Sequence, residues 1–224
     1  MVASKDVGLL LRDVSSTLLD RRPLSSGRLV FAQGIRRGFD RIGGWEKEYV
    51  AFLLGINVGR RIVKMDALKK LFESLGFRDV QTYLASGNVR FLSTRKSPDT
   101  LIHTIEPALE KKFGFKVGVI VRPIADIEQI VAAHPFRGID VTPDIRLYVT
   151  FLSEKPLSIA VPKSPAKEYK VLKVASGEVY SVLDLSKAAK TPDVMKLLGT
   201  LYGKKITTRN WNTIQKIGGT RGRR

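Results

Sequence analysis

The stretch "VQTYLASGNVRFLS", residues 80–93, reads as two short strands folded back on one another. Val80–Ser86 and Asn88–Ser93 carry the β-branched and aromatic residues that suit a pleated surface, and Ser86-Gly87-Asn88 is a hairpin turn signal. Upstream, "MDALKKLFESLGF" (65–77) spaces Met65, Leu68, Leu71, Phe72 and Leu75 along one helical face, with Gly76 where a C-terminal cap belongs. Before it, "YVAFLLGIN" (49–57) is a buried-strand pattern ended by a glycine-containing loop. Downstream, Ser97-Pro98 opens a second helix as N-cap and first-turn proline. Its apolar line is Leu101, Ile105, Leu109 and Phe113, and Pro107 inside it predicts a kink. "FKVGVIVRPI" (115–124) follows as a fourth strand. The order is β-α-β-β-α-β, the split plait of ferredoxin-like domains.

The second half has similar content. "ADIEQIVAAH" (125–134) predicts a helix and "DIRLYVTFLS" (144–153) a strand. After a Lys/Pro/Ser loop at 155–167, "EYKVLKVASGEVYSVLDL" (168–185) predicts a hairpin turning at Ser176-Gly177. Thr191-Pro192 caps a helix bearing Val194, Leu197, Leu198 and Leu201, stopped by Gly203. In "TTRNWNTIQKI" (207–217), Thr207 or Thr208 is the expected N-cap of a last helix whose inner face is Trp211, Ile214 and Ile217. The expected class is α+β: two ferredoxin-like (α-β plait) subdomains packed together, residues 49–123 and 124–217, with an N-terminal extension and a basic tail at 218–224. Residues 1–48 are Arg- and Ser-rich and lack the apolar core of a secretory signal. Asp6, Asp13, Asp20 and Asp40 tell against an organelle-targeting leader, so a poorly ordered extension from an over-long start is expected, with room for a short helix at 7–19.

Composition narrows the function classes. Without cysteine there is no disulfide, no Cys-based zinc site and no thiol catalysis. No run approaches eighteen apolar residues, so no membrane span and a cytoplasmic setting are expected. The 39 Lys and Arg against 21 Asp and Glu give a net charge of +18. Nine basic against six acidic residues in 1–48 and three arginines after Ile217 leave +12 for residues 49–217. Such a balance draws polyanions, so nucleic acid or another anionic ligand is the expected partner.

No motif with a catalytic mechanism is present. "GTLYGKK" (199–205) falls one residue short of a phosphate-binding loop, and no G-x-G-x-x-G, H-E-x-x-H or EF-hand loop occurs. His103 lies off the apolar line of its helix and reads as solvated. His134, before Pro135, reads as a cation at a helix C-terminus. Glu106 and Glu110 are an i, i+4 carboxylate pair, but with Lys111 and Lys112 beside them they read as an ordinary charged face. No catalytic residue, metal ligand or cofactor is therefore assigned.

Three polar stretches remain as candidate ligand-binding sites. In "GINVGRRIVKM" (55–65), Asn57, Gly59, Arg60 and Lys64 sit where a loop feeds a helix and backbone N–H groups favour an anion; turn chemistry explains the same residues. Ser86 and Asn88 are candidates that hairpin geometry alone also accounts for. In "TTRNWN", a cap needs one hydroxyl or amide, yet Thr207, Thr208, Arg209, Asn210 and Asn212 stand together. Arg209 could take an oxyanion bidentately, with Lys204 and Lys205 just upstream. Trp211 could stack on a base, but its spacing to Ile214 and Ile217 says core.

The same stretches carry a resemblance. From about Tyr49 to Ile217 the chain resembles the bacterial family called domain of unknown function 1697. The shared marks are Gly55-Ile56-Asn57-Val58-Gly59, then Val63, Met65 through Phe77, Val80, Thr82-Tyr83, Ser86-Gly87-Asn88-Val89 and Phe91, and finally Thr207 to Thr213. Ser186-Lys187 resembles the family's Ser-Lys pair and joins the candidate residues. Arg60 stands where a second glycine often follows, Pro107 is unusual, and residues 1–48 have no counterpart. The resemblance implies two ferredoxin-like subdomains and no reaction.

Three functions stay open at this stage. One is a binding module for an anionic ligand, possibly nucleic acid, with Tyr49 and Phe91 as candidate base-stacking aromatics although no K/R-G-F/Y-G/A-F run is present. A second is an enzyme acting on a phosphorylated or nucleotide-like small molecule held by Asn57, Lys64, Ser186, Lys187 and Arg209. The third is a structural or interaction protein whose polar motifs are caps and turns. They part on whether "GINVG", "SGN", Ser186-Lys187 and "TTRNWN" meet in space.

Overall fold

Strand β1 (Lys47–Leu53) is buried at Tyr49, Val50, Ala51, Phe52 and Leu53 without alternation, because core lies on both of its faces. The computed structural model describes residues 46–219 apart from 60, 85, 96, 164–166 and 188–193, and leaves the side chain of Leu197 undescribed. Of the extension expected over 1–48, residues 1–45 lie outside the described residues, as do the Thr191-Pro192 cap and the tail beyond Gly219, whereas Lys47 and Glu48 belong to β1 and Gly218 ends the last helix.

Helix α1 (Met65–Ser74) follows, with Leu68 and Phe72 buried. It ends in paired bonds from Gly76 N–H to Glu73 O (3.0 Å) and Phe77 N–H to Phe72 O (3.3 Å), closed by the left-handed Gly76 at φ +82°. Strands β2 (Arg78–Tyr83) and β3 (Asn88–Ser93) form the hairpin; helix α2 (Pro98–Phe113) runs on through Pro107; β4 (Val119–Pro123) completes a four-stranded antiparallel sheet in the order β2-β3-β1-β4. Tyr49, Ala51, Leu53, Val89, Phe91 and Val121 lie under α1 and α2.

Helix α3 (Ile124–Ala132) leads to a second antiparallel sheet made of β5 (Ile145–Leu152), β6 (Tyr169–Val174), β7 (Glu178–Asp184) and β8 (Ile206–Asn210), in the order β6-β7-β5-β8. Both sheets thus place their strands in the same relative order, second-third-first-fourth. The crossovers differ. In the second sheet the β5–β6 connection shows no helix among the described residues, while a 3-10 turn (Leu185–Lys187) and helix α4 (Val194–Tyr202) connect β7 to β8. Helix α5 (Trp211–Gly218) packs along α3.

A central core joins the sheets: Val50, Phe52 and Ile120 meet Leu147, Val149 and Phe151, with α3 and α5 filling the remainder. The rings of Phe52 and Phe151 stack with centroids 4.3 Å apart. Neither face of the first sheet is open, so Tyr49 (1% exposed) and Phe91 (0%) have no surface on which to stack a base, and that expectation is corrected.

The opening of "TTRNWNTIQKI" is also corrected. Thr207 and Thr208 belong to β8; the N-cap of α5 is Asn210, whose Oδ1 accepts from Asn212 N–H at 3.1 Å. The helix begins at Trp211, and Trp211, Ile214 and Ile217 do face the core.

Candidate functional site

Alternation along β8 sends Thr207 and Arg209 to the face that meets the first sheet and Ile206 and Thr208 to the other. Thr208 Oγ1 lies 2.8 Å from Thr150 Oγ1 across the strand pair. Arg209, only 8% exposed, reaches the first sheet. Its Nε donates to Asn88 Oδ1, Nη1 to Thr207 Oγ1 (2.6 Å) and Thr208 O (3.0 Å), and Nη2 to Leu53 O (2.8 Å) and Ser86 O (3.0 Å). All five N–H groups are engaged, and none of the acceptors is a carboxylate. The guanidinium lies 5.7 Å from the Phe52 ring centroid. Burial pulls its pKa down to about 10, still well above neutrality, so it stays charged. Asn88 in turn donates to Tyr83 O (2.8 Å) and Ser86 Oγ (2.9 Å). Gly87 closes the hairpin at φ +75°; a Cβ there would sit 2.5 Å from Ile56 Cδ1.

Two more arginines make comparable reaches. Arg90 of β3, 3% exposed, grips Glu48 with Nε and Nη2 (2.7 and 2.9 Å) and donates Nη1 to Ile217 O (2.8 Å) and Gly219 O (3.3 Å) at the end of α5. Arg122 of β4 donates to Leu152 O of β5 at 2.6 Å and faces Glu178 at 3.8 Å. Each places donors on backbone carbonyls left free at a strand or helix end.

The other candidate residues make none of the hydrogen bonds of this junction, although Ile56, next to Asn57, packs against Gly87 of the hairpin. Asn57 (φ +54°) folds its loop on itself: its Oδ1 accepts from Val63 N–H at 2.9 Å, and its own N–H donates to Arg61 O at 2.7 Å. Gly59 takes φ +60° in the same loop, Lys64 is exposed just before α1, and Arg60 lies outside the described residues. Ser186 and Lys187 gather on Asp184, whose carboxyl is held below its ordinary range first by Lys187 and then by Ser186. Asp184 pairs with Ile145, at the far end of β5 from Phe151, whereas Arg209 pairs with Val149. Ser86, Asn88, Thr207 and Arg209 therefore meet and Ser186-Lys187 does not join them. The set needed for the enzyme reading does not form one cleft.

A different concavity lies beside α5. It has a volume of about 630 Å³ and a floor of Phe136, Leu147 and Trp211, the two rings packed edge to face at 5.2 Å and 64°. His134, Arg137, Asn212 and Gln215 supply its polar wall, and no carboxylate among the described residues lines it. Only Asn212 among these was an expected ligand residue. The signal for the others was present: "HPFR" (134–137) puts an imidazole, a ring and a guanidinium just past α3, and Asn212 and Gln215 are three apart on one helix. Nothing in the sequence says that the two segments adjoin. Among the described residues no cluster of metal-ligating side chains occurs, and no helix is long and apolar enough to cross a membrane.

These features define an α+β protein with two four-stranded antiparallel sheets tied together by the buried Arg209 and the half-buried Arg122. The chain belongs to the family described as "Protein of unknown function (DUF1697)", which matches residues 47–180. The matched residues end in β7, so Thr207–Thr213 stand outside them. Among solved structures the chain is similar to the conserved bacterial protein SP0830 from Streptococcus pneumoniae, at 24% identity and a TM-score of 0.59, over 78% of this chain and 97% of that one. The likeness is one of fold. No match is found among curated proteins.

Proposed function

We propose that this protein is a binding module for a small anionic ligand, held in the cavity between the α3–β5 connection and α5. On this reading the two sheets are two ferredoxin-like subdomains, residues 49–123 and 124–217, and the arginine braces hold them as a rigid frame for the cavity. The observation that carries the reading is the wall itself: His134, Arg137, Asn212 and Gln215 over an aromatic floor, without a carboxylate among the described residues, on a chain of net charge +18. A concavity with an arginine on its wall and an apolar floor focuses field lines and raises the local concentration of anions. Arg209, the residue whose chemistry first suggested an anion, has every N–H occupied and belongs to the frame.

The reading is tested by titrating isotope-labelled full-length protein with phosphate, citrate and aromatic carboxylates while following amide shifts. Shifts should concentrate at His134–Arg137 and Trp211–Gln215 and vanish in Arg137→Glu. Shifts that scatter over the surface, or that survive Arg137→Glu, sink the proposal.

A further inference from the structure

We infer that the ligand of this cavity is a mononucleotide, an inference that rests on the anion-binding reading above and specifies it. Phe136, Trp211 and Leu147, with the two rings set edge to face at 64°, make an apolar floor against which the rim of a ring can rest. Asn212 and Gln215 stand on one side of α5 and present amides, each a donor and an acceptor side by side. That is the pairing that matches the edge of a base, adenine above all. Arg137 brings the forked donor suited to a phosphate, and His134 lies on the same wall. A volume of about 630 Å³ falls in the range of small-molecule sites.

His134 gives the inference an independent footing. It follows Ala133, the C-cap of α3, and holds φ +44°, donating its N–H to Val131 O at 3.2 Å. Past a helix end that conformation belongs by preference to glycine or asparagine. A histidine stands there against the local backbone preference, at a position that lines the cavity. A purely structural role would be served better by glycine, so His134→Gly separates the two roles.

The experiment is calorimetric titration of the full chain with adenosine 5′-monophosphate, cytidine 5′-monophosphate, adenosine, inorganic phosphate and 1-naphthoate. The adenine nucleotide should bind at least about tenfold more tightly than adenosine or phosphate alone. Arg137→Ala and His134→Gly should each weaken it about tenfold, with the melting temperature unchanged in the first and unchanged or raised in the second. Gln215→Ala should narrow the preference for the adenine over the cytosine nucleotide. If naphthoate binds as tightly as any nucleotide and loses affinity in Arg137→Ala, the nucleotide assignment falls while the anion-binding reading stands. Nucleotide binding untouched by all three substitutions overturns the inference by placing the site elsewhere. If no probe binds, both readings fall.

Discussion

Arg209 Nε donates to Asn88 Oδ1 across 121 residues of chain, tying the last strand of the second sheet to the hairpin of the first. Among the described residues the guanidinium has no acid partner; it is held by neutral oxygens, of which Leu53 O and Asn88 Oδ1 are buried. Arg209→Ala leaves Leu53 O and Asn88 Oδ1 short of donors in a buried place, with Ser86 O beside them at an exposed turn. A loss of roughly 3–5 kcal/mol in chemical denaturation is expected. Arg209→Lys keeps the charge but offers three donors where five are used, and should lose roughly 2 kcal/mol or more. A change below about 0.5 kcal/mol in both variants would show that the network contributes nothing net.

Arg90 fastens the end of α5. With Arg90→Ala, the carbonyls of Ile217 and Gly219 lose their donor and Glu48 its bidentate partner. Hydrogen exchange should quicken selectively in the last turn of α5 and along β1, with a global loss of roughly 2–4 kcal/mol. Uniform exchange across the chain would mean that the brace acts elsewhere.

The cap assignment is separable by substitution. Asn210→Ala removes the bond to Asn212 N–H and should cost about 1 kcal/mol, while Asn210→Asp, which keeps an acceptor, should restore most of it. Thr208→Ala should also destabilise, for another reason: it strips the buried Thr150 hydroxyl of its partner. Thr208→Ser, which keeps the hydroxyl, should restore that part.

Alkaline pH offers a test of the cores. Burial raises the pKa of Tyr49, Tyr148, Tyr169, Tyr180 and Tyr202, Tyr169 to about 12. The folded state therefore holds these protons where the unfolded chain, titrating near pH 10, gives them up. Their contribution is complete below about pH 10 and is lost as pH rises toward 12 and beyond. Arg209, pulled down to about 10, acts in the opposite sense, one group against five. Stability should fall above about pH 10, and phenolate absorbance should appear together with unfolding. Full tyrosine titration with the fold intact would contradict the burial described here.

The first sheet was legible because its signals are local: the 3.6-residue spacing in 65–77, the turn at 86–88 and the proline at 98 each announce an element by themselves. The strand β8 was not, since "ITTRN" pairs β-branched residues with an arginine whose burial depends on acceptors 121 residues away. Its polar face looked like a cap because a guanidinium is rarely core unless its donors are all met. That the β5–β6 crossover shows no helix among the described residues agrees with the absence of periodicity in 155–167. The cavity was hidden for a related reason: its walls come from 134–147 and 211–215, and only tertiary packing brings these together. Asn212 was named for its neighbours in the chain, not for the floor beneath it.

The braces also set an order of events. When β1 to β4 leave the ribosome, Phe52 and the carbonyl of Leu53 have no cover, because Phe151 and Arg209 are still to be synthesised. Arg90 likewise waits for Ile217, 127 positions on. Contacts of such separation close late and slowly. The nascent first sheet therefore passes through a stage with an apolar face and unmet carbonyls exposed, the stage at which a chaperone would have most to hold.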